Sequence, residues 1–426
     1  MKYLTLLTIS LIATTSVAIG QSRQIPAAEQ STPILFIGGE IHPVSSAMIP
    51  DGWVLVSDGK IEAVGSGVVP DLPEGCREIQ LEGRRVYPGL IAADSELGLT
   101  ETQAVDVTHD YNEFGTWTPE AETVVALNPD SDLIPVTRAA GVLTALVNPS
   151  GGKLAGQSTV IRLDGWTYED LAIVPNAALV LEWPRGGRRG GPSEDQIREI
   201  DEFFDAADAY YNAREHDETV KPDLRYEAMR SAVDGDVPLL VRASTAAQIE
   251  AAASWSASRD LSIVILGGEE ADRVADLLIA EDIPVIVRGV HRAPVSRHMA
   301  PHTPHELPGL LHEAGVRFCI APRDRPAHIR NLAHHAATAA AHGLPRDAAL
   351  RSVTLDAAEI IGVSDRLGSL EPGKSATLII TSGDPLEMMT DVEMAFIDGR
   401  QIDLSSRHTQ LRDKYREKYK QKGRLQ

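Results

Sequence analysis

The sequence predicts an α/β fold: a (β/α)8 barrel joined to a small β-sandwich formed by the N- and C-terminal segments. Three observations predict it. Short apolar runs alternate with helical stretches through the middle of the chain. Hairpin signals precede residue 87, and strands of the same kind return after Lys374. With 426 residues, 43% hydrophobic and 24% charged, the chain can bury one large core and a smaller one.

Met1 to Gly20 reads as a signal peptide: Lys2 gives a positive start, Leu4 to Ala13 a short apolar core, and Ala18 and Gly20 a small-residue exit. A periplasmic or secreted protein is expected. Strands follow at Ile34–Ile37, Trp53–Ser57 and Lys60–Val64. The Asp58-Gly59 pair between the last two is a hairpin turn. From Tyr87 the candidate strands are Leu90–Ala93, Val142–Asn148, Thr159–Leu163, Ala178–Glu182, Leu239–Arg242, Ile263–Leu266, Pro284–Val287 and Phe318–Ala321. Amphipathic segments Ala246–Ser258, Ala271–Glu281 and Pro304–Ala314 separate the later ones. Runs that are apolar on both faces and alternate with helices suggest parallel strands, and eight of them suggest closure. Arg185–Gly191 reads as an exposed loop. The helix Ser193–Glu215 after it has a stripe of Ile197, Ile200, Phe203, Phe204 and Ala207 at packing spacing. Thr377–Thr381 and Glu393–Ile397 close the β unit. The boundaries are therefore 1–20 for the signal peptide, 33–87 with 374–404 for the composite β domain, 88–373 for the barrel, and 405–426 for a charged tail.

A net charge of −21 argues against nucleic-acid and anionic-membrane partners, because the summed field repels them. Cys76 and Cys319, far apart and without a C-x-x-C pair, read as two buried free thiols and argue against a thiolate zinc site.

Several segments together resemble the amidohydrolase superfamily, in its imidazolonepropionase-like, exported branch. They are Val86-Tyr87-Pro88-Gly89-Leu90-Ile91 at the barrel entry and Gly368-Ser369-Leu370-Glu371-Pro372-Gly373-Lys374 at its exit. Gly383-Asp384-Pro385-Leu386, Gly343-Leu344-Pro345, Thr354-Leu355-Asp356-Ala357-Ala358 and Leu163-Asp164-Gly165-Trp166 belong to the same pattern. The resemblance implies a barrel plus a terminal sandwich, and hydrolysis of non-peptide carbon–nitrogen bonds. It also implies a divalent metal that lowers the pKa of a bound water. The ligands would be His-x-His after the first strand, one His after each of strands five and six, and an Asp after strand eight.

This sequence departs from that pattern. Asp94-Ser95-Glu96 stands where His-x-His belongs, so Asp94 and Glu96 are the metal candidates by position. Arg242 replaces the fifth-strand His and Glu269 the sixth. Asp324 matches the last position and is the candidate catalytic base. Arg242, Glu269, Gly152 and Ser158 are the candidate site-lining residues. Two arrangements of the charges remain open. In one, Arg242 pairs with the carboxylates and no metal is held. In the other, the carboxylates hold a hard cation such as Mg²⁺, Mn²⁺ or Ca²⁺. The cofactor is accordingly none or a divalent metal. A second cluster, His291, His298, His302 and His305, is interrupted by prolines and reads as a solvated loop. Two functions follow: a carbon–nitrogen hydrolase with an altered site, or a catalytically inactive pseudoenzyme. The second would be a small-molecule binder, or a homo- or hetero-oligomeric partner of an intact amidohydrolase.

Overall fold

A computed structural model of the chain describes residues 24–185, 193–295, 297, 299–322 and 325–424. The expected signal peptide and most of the Arg185–Gly191 loop lie outside these residues. The strands are β1 (Ile34–Ile41), β2 (Ile49–Ser57), β3 (Lys60–Ser66), β4 (Arg77–Gln80) and β5 (Arg85–Pro88). They continue as β6 (Leu90–Ser95), β7 (Val142–Val147), β8 (Leu154–Arg162), β9 (Ala172–Glu182), β10 (Leu239–Ala243), β11 (Ile263–Gly267), β12 (Val285–Arg288) and β13 (Phe318–Ala321). Last come β14 (Leu378–Thr381), β15 (Val392–Ile397) and β16 (Arg400–Gln401).

The terminal strands form one sheet in the order β16-β15-β14-β5-β1-β2-β3, with β4 beside β1. Its hairpin is set by Asp58 and Gly59, both left-handed at φ 50° and 76°, the pairing that matches strand twist. The antiparallel pair β5–β14, with Val86 opposite Ile380, joins the two ends of the chain. The expected union of the termini is thus made through main-chain hydrogen bonds.

The second sheet runs β6 to β13 in order and curls until β13 lies beside β6, a nearly closed barrel. Apolar side chains fill it from every wall, among them Ile91, Val180, Leu240, Val264, Ile286 and Cys319. The helix Leu355–Ile360 plugs its amino-terminal end with Ala357, Ala358 and Ile360. A second apolar layer joins the outer strand faces to the surrounding helices. The stripe on the helix Glu194–His216 belongs to it: Ile200, Phe203, Phe204 and Ala207 are buried, and Phe203 stacks on Trp117 with centroids 4.3 Å apart.

One expectation is corrected. β8 runs antiparallel to both β7 and β9, so the barrel is not uniformly parallel. The reason is connection length. Residues 148–153 join β7 to β8, and a parallel crossover needs a dozen residues or more. Gly151 and Gly152, at φ 101° and 63°, make the reversal. Cys76 and Cys319 are both free; Cys319 is buried as expected, whereas Cys76 is only half-buried. Among the described residues no helix is long and apolar enough to cross a membrane.

Candidate functional site

Side chains alternate across a strand, so a residue two places beyond an inward-pointing one also points inward. Val180, Leu240 and Ile286 point into the barrel. Two residues on stand Glu182, Arg242 and Arg288, all at the carboxyl ends of their strands. This periodicity places three charges at the mouth. They line a cavity of about 1210 Å³ together with Asp94, Glu269, Trp183 and the Ser150–Gly152 turn.

Arg242 organises one side. It sits directly opposite Glu182 in the parallel β9–β10 register. Its Nε approaches Glu182 Oε1 at 2.6 Å, and its Nη1 lies 3.7 Å from Asp94 Oδ2. The Glu182 approach is a charge contact off the N–H axis, since among the described residues that N–H makes no hydrogen bond. The Nη2 group donates to the Pro149 carbonyl at 3.2 Å. Asn148 donates to Asp94 Oδ1 at 2.8 Å, so both oxygens of Asp94 are engaged. The guanidinium, its side chain 11% exposed, bridges two carboxylates that would otherwise repel each other.

Glu269 organises the other side. Gly267 and Gly268, at φ 119° and 58°, turn the chain sharply after β11. A Cβ on Gly268 would meet Val285 Cγ1 at 2.4 Å, so the turn also requires a residue without one. Glu269 is thereby carried into the mouth, with its side chain 2% exposed and Oε1 3.5 Å from Arg288 Nη1. Among the described residues, its Oε2 has no hydrogen-bond partner, and neither has the indole N–H of Trp183. Arg292 stands behind this pair. Burial lowers its pKa from the ordinary value, the charge of Glu269 opposes that, and Arg288 adds to it.

Of the sequence candidates, Asp94, Arg242, Glu269 and Gly152 come together on the cavity. Gly152 acts through its backbone: a Cβ there would meet the Thr116 carbonyl at 2.8 Å. Glu96 lies one residue beyond β6, half-buried, its carbonyl accepting from the Leu99 N–H. Ser158 does not join the site. It is fully buried within β8 opposite Ala178. The reversal of β8 explains this, because its carboxyl end points away from the mouth. Asp324, the expected base, lies outside the described residues. The loop histidines do not converge. His291 packs on His335 of the helix Leu332–Ala341, with centroids 4.0 Å apart. His302 pairs with Glu306, His305 stacks on His342, and His298 lies outside the described residues.

Sequence reasoning missed Glu182, Trp183, Arg288 and Arg292. The first three carried a signal: each stands at or just beyond the carboxyl end of an apolar strand run, as Arg242 does.

A divalent ion does not fit the donors that the described residues present. Oxygen-preferring cations need several free carboxylate or carbonyl oxygens around one point. Here a guanidinium occupies the space between Asp94 and Glu182, and Glu269 faces Arg288. Among the described residues, no three His, Cys, Asp or Glu side chains converge in a metal-holding group.

Comparisons with known proteins agree with this fold. Residues 270–402, from the turn after β11 to β16, match the amidohydrolase family model. Amidohydrolase tasK of Hapsidospora irregularis is 25% identical over an alignment of 395 residues that covers 82% of this chain. The chain spans 39% of that relative's length. An amidohydrolase from Thermotoga maritima MSB8 superposes with a TM-score of 0.79 at 27% identity, over 87% of this chain and 99% of that one. A prolidase complexed with N-methylphosphonate-L-proline superposes at 0.56 and 16% identity, over 87% and 100%, a likeness of fold alone. The chain therefore carries an amidohydrolase family domain at residues 270–402 and has its structural neighbours in the amidohydrolase superfamily.

Proposed function

We propose that this chain binds a polar small molecule in its barrel mouth without metal-dependent hydrolysis. The observation that supports this reading most directly is the Arg242 bridge between Asp94 and Glu182. A cation fixed by covalent attachment neutralises the carboxylates at every relevant pH, but it cannot polarise and deprotonate a water as a bound ion does. The pocket nevertheless offers groups to a ligand: Trp183 Nε1 as donor and Glu269 Oε2 as acceptor, both unmet among the described residues, beside the half-exposed Arg288 guanidinium. Such groups are costly to bury unless something pairs with them. On this reading the chain belongs to the imidazolonepropionase-like, exported branch, with its imidazole ligands replaced.

The relatives are named amidohydrolases, which favours a second reading, and the family resemblance would make that reading hydrolysis of non-peptide carbon–nitrogen bonds. In it Asp324 is the base, and Asp94 and Glu96 take the ligand positions. One measurement separates the two. The purified chain is dialysed, analysed for divalent and transition metals, and assayed for amine release from simple amides with and without chelator. The first reading expects metal far below stoichiometric and no chelator-sensitive turnover. A stoichiometric ion whose removal abolishes amide cleavage overturns it.

A further inference from the structure

The helix Arg407–Gln421 is exposed along most of its length. Ser406 caps the helix Arg407–Gln421 through a reciprocal capping box, and its first turn is tethered. Arg407 pairs with Asp132 at 3.2 Å, and Arg330 donates to His408 Nδ1 at 2.7 Å. Beyond that turn the helix leaves the body, and every residue from Gln410 to Arg424 is exposed. An isolated helix of this length is marginal in water, and helices in proteins are held by packing of an apolar face.

This helix has such a face. Leu411, Tyr415 and Tyr419 recur every four residues, which puts them in one stripe. Lys414, Lys418 and Lys422 run parallel to it. In a chain of net charge −21, residues 407–424 hold eight Lys or Arg and two Asp or Glu, so the remainder is more acidic still.

The body carries a matching surface. Residues 101–116, between β6 and the short helix Thr123–Ala126, contain Glu101, Asp106, Asp110 and Glu113 and no Lys or Arg. The same segment exposes Phe114 at 98%, Val107 at 90% and Val105 at 42%. It is therefore acidic and apolar, where the terminal helix is basic and apolar. It also borders the cavity: the Ser150 N–H donates to the Tyr111 carbonyl at 2.7 Å.

From the complementary charge and apolar character of these two exposed segments, we propose that the C-terminal helix of one copy docks on the 101–116 segment of a second copy. The occupant is another copy because that copy supplies the acidic, apolar surface. An anionic lipid surface would attract the helix but repel the body behind it. Docking would also lay the partner's helix along the rim of the mouth. The proposal is independent of what the mouth binds.

The test uses the full chain and sedimentation velocity over a concentration series. Self-association should weaken steeply as salt rises from about 0.01 M to about 1 M, where the screening length falls from about 30 Å to about 3 Å. Tyr415→Asp with Tyr419→Asp should weaken it at least about tenfold, the loss expected for removing aromatic anchors. Reversing the tail (Lys414→Glu, Lys418→Glu, Lys422→Glu) should weaken it, as should reversing the segment (Asp106→Lys, Asp110→Lys, Glu113→Lys). Combining both reversals should restore it. Every substituted side chain is exposed, so the thermal unfolding of each variant at high salt should match the parent. A chain that stays monomeric at low salt overturns the proposal. So does a combined reversal that associates no better than the single ones. Binding of the parent to phosphatidylglycerol vesicles in preference to itself overturns it in favour of a lipid surface.

Discussion

Replacing Arg242 by Met should destabilise the protein by about 3 kcal/mol, and neutralising its partners should restore most of that loss. Removing one partner of a buried ion pair costs about 3–5 kcal/mol, because the remaining charge stays buried and uncompensated. Arg242 serves two such charges, Asp94 at 5% side-chain exposure and Glu182 at 25%. Two features move the expectation to the low end of the range. Asp94 keeps its 2.8 Å hydrogen bond from Asn148 when the guanidinium is gone, and Glu182 can turn toward water. Methionine fills much of the arginine stem's volume, so cavity formation adds little. The assay is urea unfolding of the parent, Arg242→Met, and Arg242→Met combined with Asp94→Asn and Glu182→Gln. Full replacement of a buried ion cluster by neutral groups is often close to neutral, so the triple variant should lie within about 1 kcal/mol of the parent. A single variant that loses less than about 0.5 kcal/mol, the range of an ordinary surface change, refutes the bridge. So does a triple variant no more stable than the single one.

Other consequences are testable in the same way. Burial, outweighing the charge of Arg351 at 2.5 Å, pushes Asp356 up to about 6. The folded protein then binds this proton more tightly than the unfolded chain, so stability falls as pH rises from about 4 to about 6. Asp356→Asn should remove that decline and gain about 1 kcal/mol at pH 7.5, with little change at pH 4; equal effects at both pH values would contradict the shift. Asp164, 1% exposed, lies 2.7 Å from Arg138 and 3.3 Å from Arg400, and so ties the barrel to the last β strand. Asp164→Asn should lose about 3 kcal/mol in urea unfolding.

Much of this was legible in the sequence, and the exceptions have physical causes. The helix Ala246–Ser258 was bounded correctly because Thr245 and Gln248 form a capping box at its start. The hairpin at Asp58-Gly59 was legible because that pair adopts left-handed φ readily. The direction of β8 was not read, since an apolar run carries no direction. The six-residue spacer before it did, because its length forbids a crossover. Arg242 and Glu269 were legible through the family resemblance, as the residues standing at its fifth- and sixth-strand His positions. Glu182 and Arg288 were overlooked because a charge closing a strand looks like solvent exposure until the inward alternation is counted from Val180 and Ile286. The Glu269 geometry depends on the Gly267-Gly268 turn, which a strand-and-helix reading treats as a mere boundary.

The placement of these charges shows how the fold accommodates a charged mouth. In a barrel the apolar layers below the rim supply the core, and here Val180, Leu240 and Ile286 belong to them. The rim positions two residues further on contribute little apolar burial, so their chemistry is free to vary so long as charge is balanced. A metal with imidazoles is one balanced solution. A guanidinium with carboxylates is another, because Arg242 carries a fixed positive charge into the space between Asp94 and Glu182. The two solutions differ in what they leave available. An ion with an open coordination position offers a reactive water, whereas the Arg242 bridge uses its contacts internally and leaves Trp183, Glu269 and Arg288 for recognition. On the reading proposed above, stability and recognition persist at this mouth without hydrolysis, because the apolar layers below the rim carry the core and the rim carries the ligand contacts.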